Sequence, residues 1–322
     1  MARTIVGSRA GPGTLAWERT GVWTPATLRP RFLARRRGTC RSICDDSAVD
    51  PGTSPRKTPL VIAHRGASDE EPEHTLAAYR RAFERGVDGI ECDVRLTADR
   101  HLVCVHDRKI SRTSNGQGVV SSLELARLEA FDWASWKQNA AEAETPDADP
   151  ERGRLLTLAR LLDTITSRPE ELVTLIETKH PNRYGGLLEE HLLAMLRRFG
   201  LGDGDQPGRP HVRVMSFSHL ALARMTRIAP AVPLVYLMEK NVPALSWDGA
   251  LPYGVRKVGL DVRFLRQPKV VRSFQKRGHE VLVWTVNEAA DVERCLELGV
   301  DVMITDRPAF VRAHAEHLLG TA

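Results

Sequence analysis

The chain has 322 residues, 42% hydrophobic and 27% charged, which is the composition of a soluble globular protein with room for one large α/β barrel or two ordinary domains. Its net charge of +5 sits at one end: residues 1–57 hold eleven Lys and Arg against four Asp and Glu, leaving the rest at −2, so the body is not a nucleic-acid binder. Five cysteines in no secreted spacing, and no apolar run near the ~18 residues of a membrane span, exclude a disulfide scaffold and stable membrane insertion, making a cytoplasmic location the expectation.

Residues 1–57 are rich in Arg, Pro, Gly, Ser and Thr without periodicity and read as a basic, disordered extension. From 58 to 322 apolar runs alternate with helical stretches. Strands are predicted at 60–65 "LVIAHR", 88–93 "DGIECD", 101–106 "HLVCVH", 172–179 "LVTLIETK" and 211–217 "HVRVMSF". Four more follow at 232–238, 256–261, 280–286 and 301–305, with helices at 75–85, 187–199 and 288–298 among those between them. Such alternation fits a parallel barrel or a doubly wound sheet. Nearly every run ends in a reactive residue, among them His64, Asp93, Glu177, Ser216, Asp261, Trp284 and, just past the last, Asp306. An open sheet gathers ligands at its switch point, whereas a barrel gathers all its strand ends at one mouth. The expected fold is therefore a (β/α)8 TIM barrel.

The 101–106 run follows Asp93 too closely for a parallel crossover, so it is expected to form an extra antiparallel hairpin strand after the second barrel strand. A turn at "TADR", 97–100, would pair positions summing to 197 and set Glu91 opposite His106. Residues 108–156 form a long insertion, expected to be a cap of the lid or specificity kind. It contains an amphipathic stretch at 123–131, the acidic run "AEAETPDADPE", and Trp133 and Trp136, read as cap core rather than a membrane-approach surface.

On a strand Glu91 and Asp93 share one face, and Glu177 brings a third carboxylate from the next barrel strand. Buried acids need a compensating charge. An all-oxygen set suits Mg²⁺ or Ca²⁺, while ion pairing with Arg65, Arg95 or Lys179 is the structural alternative. His64 and His106 each end an apolar run beside these acids, as a general acid and a general base for phosphodiester cleavage would. Arg65 and Lys179 add cations for phosphate oxygens. His180 and His219, near strand ends, are held in reserve. No Walker loop, G-x-G-x-x-G or nucleophile elbow occurs.

The segments "AHRGASDEEPEHT", "GIECDVRLTADRHLVCVHD", "LIETK" and "VWTVNE…ELGVDVMITDRP", in this order over about residues 59–312, resemble the glycerophosphodiester phosphodiesterases. The resemblance implies a phospholipase-C-like phosphodiesterase barrel with an inserted cap. It implies His64 and His106 as the acid/base pair, Glu91, Asp93 and Glu177 as ligands of Mg²⁺ or Ca²⁺, Arg65 and Lys179 on the phosphate, and Trp284 lining the glycerol pocket. The small-molecule substrate would be a glycerophosphodiester, cleaved to sn-glycerol 3-phosphate and an alcohol. One departure bears on the site: His74 stands in "PEHT" where the family carries Asn. Rival readings are a lysophospholipase D or phospholipase C-like lipid enzyme, and a catalytically inactive barrel that binds phosphodiesters.

Overall fold

The computed structural model describes residues 58–137, 151–240 and 247–320. The predicted N-terminal extension and most of the acidic run lie outside the described residues. Nine strands form, at Leu60–His64 (β1), Gly89–Leu96 (β2), Leu102–Cys104 (β3), Val173–Thr178 (β4), His211–Ser216 (β5), Leu234–Met238 (β6), Lys257–Asp261 (β7), Glu280–Trp284 (β8) and Val302–Thr305 (β9). Eight of them run parallel in the order β1-β9-β8-β7-β6-β5-β4-β2, and the β1–β2 pair closes the ring. Outside that barrel, β3 lies antiparallel on β2.

Side chains alternate between two cores, as strand geometry requires. Ile62, Leu175, Met215, Val235, Leu237, Leu282 and Ile304 fill the barrel interior, while the opposite faces pack against the helices. The barrel is tight at β2, where a Cβ on Gly89 would come within 2.0 Å of the Val173 carbonyl oxygen. Only glycine fits there. Helices follow the strands where local signals place them. Thr75 caps Leu76–Glu84 (α1) by accepting from the Ala78 amide. A short helix, Leu125–Glu129 (α2), belongs to the insertion. Thr157 caps Leu158–Thr166 (α3), whose Leu158, Leu161, Leu162 and Ile165 form one buried stripe. The later barrel helices are Leu187–Arg198 (α4), His219–Ile228 (α5), Pro268–Lys276 (α6), Ala289–Leu298 (α7) and Pro308–Leu319 (α8).

The hairpin corrects one expectation. Its pairs are Val94↔Cys104, Arg95↔Val103 and Leu96↔Leu102, which sum to 198 rather than 197. Arg100, at φ 67°, adds a left-handed residue to the turn, and the Thr97 amide donates to the His101 carbonyl. A three-residue loop of this kind shifts the register by one. Glu91 therefore faces His64 across β1–β2, not His106.

The described part of the insertion has its own small core of Val103, Val105, Ile110, Val120, Leu128, Trp133 and Leu155. Trp133 is buried and donates to the Leu128 carbonyl, as a cap-core residue should. Trp136 is 38% exposed and not part of that core, which corrects its reading as a cap-core residue. Among the described residues no helix is long and apolar enough to cross a membrane.

Candidate active site

Parity along the strands builds the site. The inward rows continue from Ile62 to His64, from Gly89 to Glu91 and Asp93, from Leu175 to Glu177 and Lys179, and from Leu282 to Trp284. Register then sets His64 beside Glu91 and Asp93 beside Glu177. Carboxylate oxygens of Glu91, Asp93 and Glu177 all lie within 4.8 Å of one another, and all three residues are buried.

These acids are only partly compensated. Lys179 Nζ lies 2.8 Å from Glu177 Oε1 and 3.2 Å from Asp93 Oδ1, and Arg65 Nε lies 3.1 Å from Asp93 Oδ2. Burial pushes Asp93 up, but Lys179, Arg65 and the hydrogen bond from His74 outweigh it and hold the carboxyl well below its usual range. The other two go the opposite way. Burial first, then the charge of Asp93, raises Glu91 well above the carboxylate range and Glu177 to about 8. Both anticipated ion-pairing partners Arg65 and Lys179 are thus in place, while Arg95 instead donates twice to the His106 carbonyl. Both Glu91 and Glu177 are thus left short of positive charge, each shifted toward its protonated form. A hard divalent cation among three oxygen donors fits that residual demand for positive charge.

His64 is held on its far side. Its Nδ1 lies 2.6 Å from Asp306 Oδ1, so Nδ1–H donates there and Nε2 faces Glu91 Oε2 at 4.0 Å. Asp306 also accepts from Ser68 Oγ at 2.9 Å and Asn287 Nδ2 at 2.7 Å. Burial favours its neutral form, but the His64 bond and these donors outweigh it and hold the carboxyl well below its ordinary range. His106 Nδ1 lies 2.8 Å from Asp107 Oδ1. Burial, with the charges of Arg65 and Lys179 acting against Asp93, presses His106 down to about 4.

Arg65 is fixed by the sharp turn after β1. It sits at φ 59°, and the next residue, Gly66, at φ 88°. A Cβ on Gly66 would come within 2.6 Å of the Ala78 backbone, so the "HRG" turn needs glycine. Arg65 Nη1 donates to Glu73 Oε1 at 3.0 Å, and Arg112 of the insertion reaches both oxygens of the same carboxylate at 2.7 and 2.8 Å. His74, at φ 58°, is buried with Nε2 2.9 Å from Asp93 Oδ2 and Nδ1 3.0 Å from Tyr79 Oη.

All eight site residues named from the sequence, His64, Arg65, Glu91, Asp93, His106, Glu177, Lys179 and Trp284, converge on this mouth. Seven of them line one cavity of about 650 Å³, and Asp93 lies just behind them. Its apolar wall includes Met215, Phe217, Leu237 and Trp284, with the Phe217 and Trp284 rings edge to face at 5.6 Å. Phe217 and Asp306 were not assigned roles from the sequence. Both are one inward step beyond an interior residue, Met215 and Ile304, which is the signal that finds them. Of the reserve histidines, His180 lines the cavity but has Nε2 on Glu189 Oε1 at 2.6 Å and Nδ1 near Asn182 Nδ2 at 3.2 Å. His219 bonds Tyr236 Oη at 2.8 Å and does not line it.

A closed parallel barrel that brings carboxylates, histidines and cations to the C-terminal ends of its strands is a TIM-barrel enzyme. The family model described as the glycerophosphoryl diester phosphodiesterase family matches residues 64–310. A Mycobacterium tuberculosis (strain ATCC 25618 / H37Rv) protein named "Probable glycerophosphodiester phosphodiesterase 1" is 42% identical over 259 residues, covering 80% of this chain and 93% of its own. A Bacillus subtilis (strain 168) glycerophosphodiester phosphodiesterase is 36% identical over 256 residues, covering 77% and 84%. An Oleispira antarctica phosphodiesterase, solved in complex with the product sn-glycerol-3-phosphate, matches with a TM-score of 0.68 at 23% identity, covering 80% of this chain and 97% of that one. The chain belongs to the glycerophosphoryl diester phosphodiesterase family.

Proposed function

We propose that the protein hydrolyses glycerophosphodiesters to sn-glycerol 3-phosphate and a free alcohol, with Glu91, Asp93 and Glu177 holding a divalent cation and His64 and His106 moving the protons. The observation that carries this reading is the convergence of two histidines, three carboxylates, Arg65 and Lys179 on one cavity. Bound there, Mg²⁺ or Ca²⁺ would supply Lewis-acid stabilisation of phosphoryl charge.

The side chains divide the remaining work. Arg65 and Lys179 attract the phosphoryl oxygens. Trp284 and Phe217 offer an apolar wall to the glycerol carbons. Asp306 orients His64 so that Nε2 can accept the proton of the attacking oxygen, and it shares the positive charge that results. His106 is neutral at pH 7 in the free protein, because burial and nearby cations press it to about 4. A phosphodiester anion seated on Arg65 and Lys179 offsets those cations. His106 can then carry the proton needed by the departing alcohol.

We assign the activity to residues 58–322, with 108–156 as the cap and 1–57 as an extension, and place the protein in the cytoplasm. Free Cys92, Cys104 and Cys295 agree with a reducing compartment. Release of glycerol 3-phosphate from glycerophosphocholine, followed with and without EDTA and then with excess Mg²⁺ or Ca²⁺, tests the reading. Turnover should be restored by metal and lost in His64→Ala and His106→Ala. A p-nitrophenyl ester, whose leaving group needs no proton, should rescue His106→Ala alone. Absence of turnover on every water-soluble glycerophosphodiester would sink it.

A further inference from the structure

A second cavity, of about 400 Å³, opens between the insertion and the loop after β4. Arg95, Arg108 and Arg183 line it, together with Ser121, Asn182 and Tyr184, and among the described residues no carboxylate does. Three arginines thus line one space with no acid beside them among the described lining residues, and two of them, Arg108 and Arg183, are exposed and able to meet an incoming anion. Neither Arg108 nor Arg183 has an ion-pair partner among the described residues.

The cavity has fixed walls. Tyr184 Oη donates to the Ser121 carbonyl at 2.8 Å, tying the β4 loop to the insertion. Asn182 Oδ1 accepts from the Tyr184 amide at 2.9 Å while its Nδ2 lies 3.2 Å from His180 Nδ1. Arg95 is anchored on the His106 carbonyl at 2.9 and 2.6 Å.

It also adjoins the site already described. Two chain segments pass from one cavity to the other: His106 lines the first and Arg108 the second, and His180 the first and Pro181 the second. Consecutive Cα atoms are about 3.8 Å apart, so the second cavity starts within roughly 8 Å of His106 along the chain. A diester has two arms. If the glycerol arm lies against Trp284 and Phe217 and His106 protonates the departing alcohol, as in the hydrolase reading above, the other arm extends on the His106 side.

We propose that this cavity is a subsite for a phosphate group carried on the leaving alcohol, so that the enzyme favours glycerophosphodiesters whose alcohol is itself phosphorylated. The inference rests on the hydrolase reading above. Arginine forks match phosphate oxygens two at a time, and Arg108 and Arg183 are the forks left to offer, since the Tyr184 hydroxyl, the Asn182 amide and Arg95 hold the walls in place. A volume of about 400 Å³ lies within the ~300–1,000 Å³ of small-molecule sites and exceeds what a bare phosphate needs.

The test compares the full chain with an Arg108→Ala/Arg183→Ala variant on glycerophosphoinositol 4-phosphate and on glycerophosphocholine. Both arginines are exposed, and Arg95 is left in place because it holds His106. The variant should lose tenfold or more of kcat/KM on the phosphorylated substrate and stay within twofold on glycerophosphocholine. Equal loss on both, or no loss on either, overturns the proposal. If glycerophosphocholine turnover instead responds to inorganic phosphate and the variant abolishes that response, the site takes free phosphate and the substrate assignment is overturned. Should the wild type turn over neither substrate, the hydrolase reading fails. Calorimetry with myo-inositol 4-phosphate then still decides the subsite: binding lost in the variant supports it, and equal binding removes it.

Discussion

Asp306 Oδ1 lies 2.6 Å from His64 Nδ1, joining the end of the last barrel strand to the end of the first. Asn287 and Ser68 hold the carboxylate, and the carboxylate holds the imidazole with Nε2 toward Glu91. Asp306→Asn keeps the shape but offers Nδ1 an amide whose orientation is no longer dictated by charge. A wrong tautomer at His64 removes most of what proton transfer contributes, typically 10²–10⁴-fold. We expect kcat to fall by about 10²-fold with KM little changed. An unaltered kcat in steady-state kinetics would show that His64 does not depend on this partner.

Cation binding should be visible without any substrate. Glu91 and Glu177 are raised mainly by burial, so an ion that compensates them stabilises the folded chain. Ligand at about 100 times its Kd adds roughly 2.7 kcal/mol, which for a domain of this size raises Tm by roughly 5–10 °C. Thermal scans with Mg²⁺, Ca²⁺ and EDTA should show that shift in the wild type and little of it in Glu177→Gln. A Tm indifferent to all three would remove the carboxylate trio as a metal site.

The barrel was legible because apolar strands with reactive ends repeat, and because the two-residue period of a strand places Glu91 and Asp93 on one face from spacing alone. The eight named residues do meet at one mouth. What could not be read was set by turns and by non-local pairing. Arg100 in a left-handed conformation moved the hairpin by one residue, and no pattern in "TADR" announces that choice. Asp306 ends a run like several other strands, yet its partner His64 lies 242 positions away, a separation no local spacing reports. Glu73 likewise joins Arg65 to Arg112 only once the insertion has folded over the β1 turn.

His74, which stands where the resemblance leads one to expect Asn, bonds the carboxylate beside it. Its φ of 58° is one that Asn adopts more readily than most residues, and its Nε2 reaches Asp93 at 2.9 Å. Partners that orient metal-binding carboxylates are typically worth 10–100-fold. His74→Asn should therefore retain activity within about tenfold, whereas His74→Ala should lose about 10–100-fold and need more metal for half-maximal rate. Equal losses in the two variants would mean that burial alone, not the bond to Asp93, matters here.

Glu73 makes the joint between the β1 turn and the insertion sensitive to acid. Burial opposes its ionisation, but the hydrogen bond from Arg112 and the charge of Arg65 outweigh it and lower the carboxyl from 4.5 to about 2. The folded state thus releases this proton more readily than the unfolded chain. Stability from Glu73 is therefore fully present above pH 4.5 and is lost as pH falls toward 2. With the side chain 10% exposed but Arg112 44% exposed, the contribution is about 2–3 kcal/mol after allowance for screening. Urea titrations of wild type and Glu73→Gln should differ by that amount from pH 7 down to about 4.5, and the difference should close between 4.5 and 2. A difference that holds constant to pH 2 would show that the mutation acts through packing and not through the ion pairs.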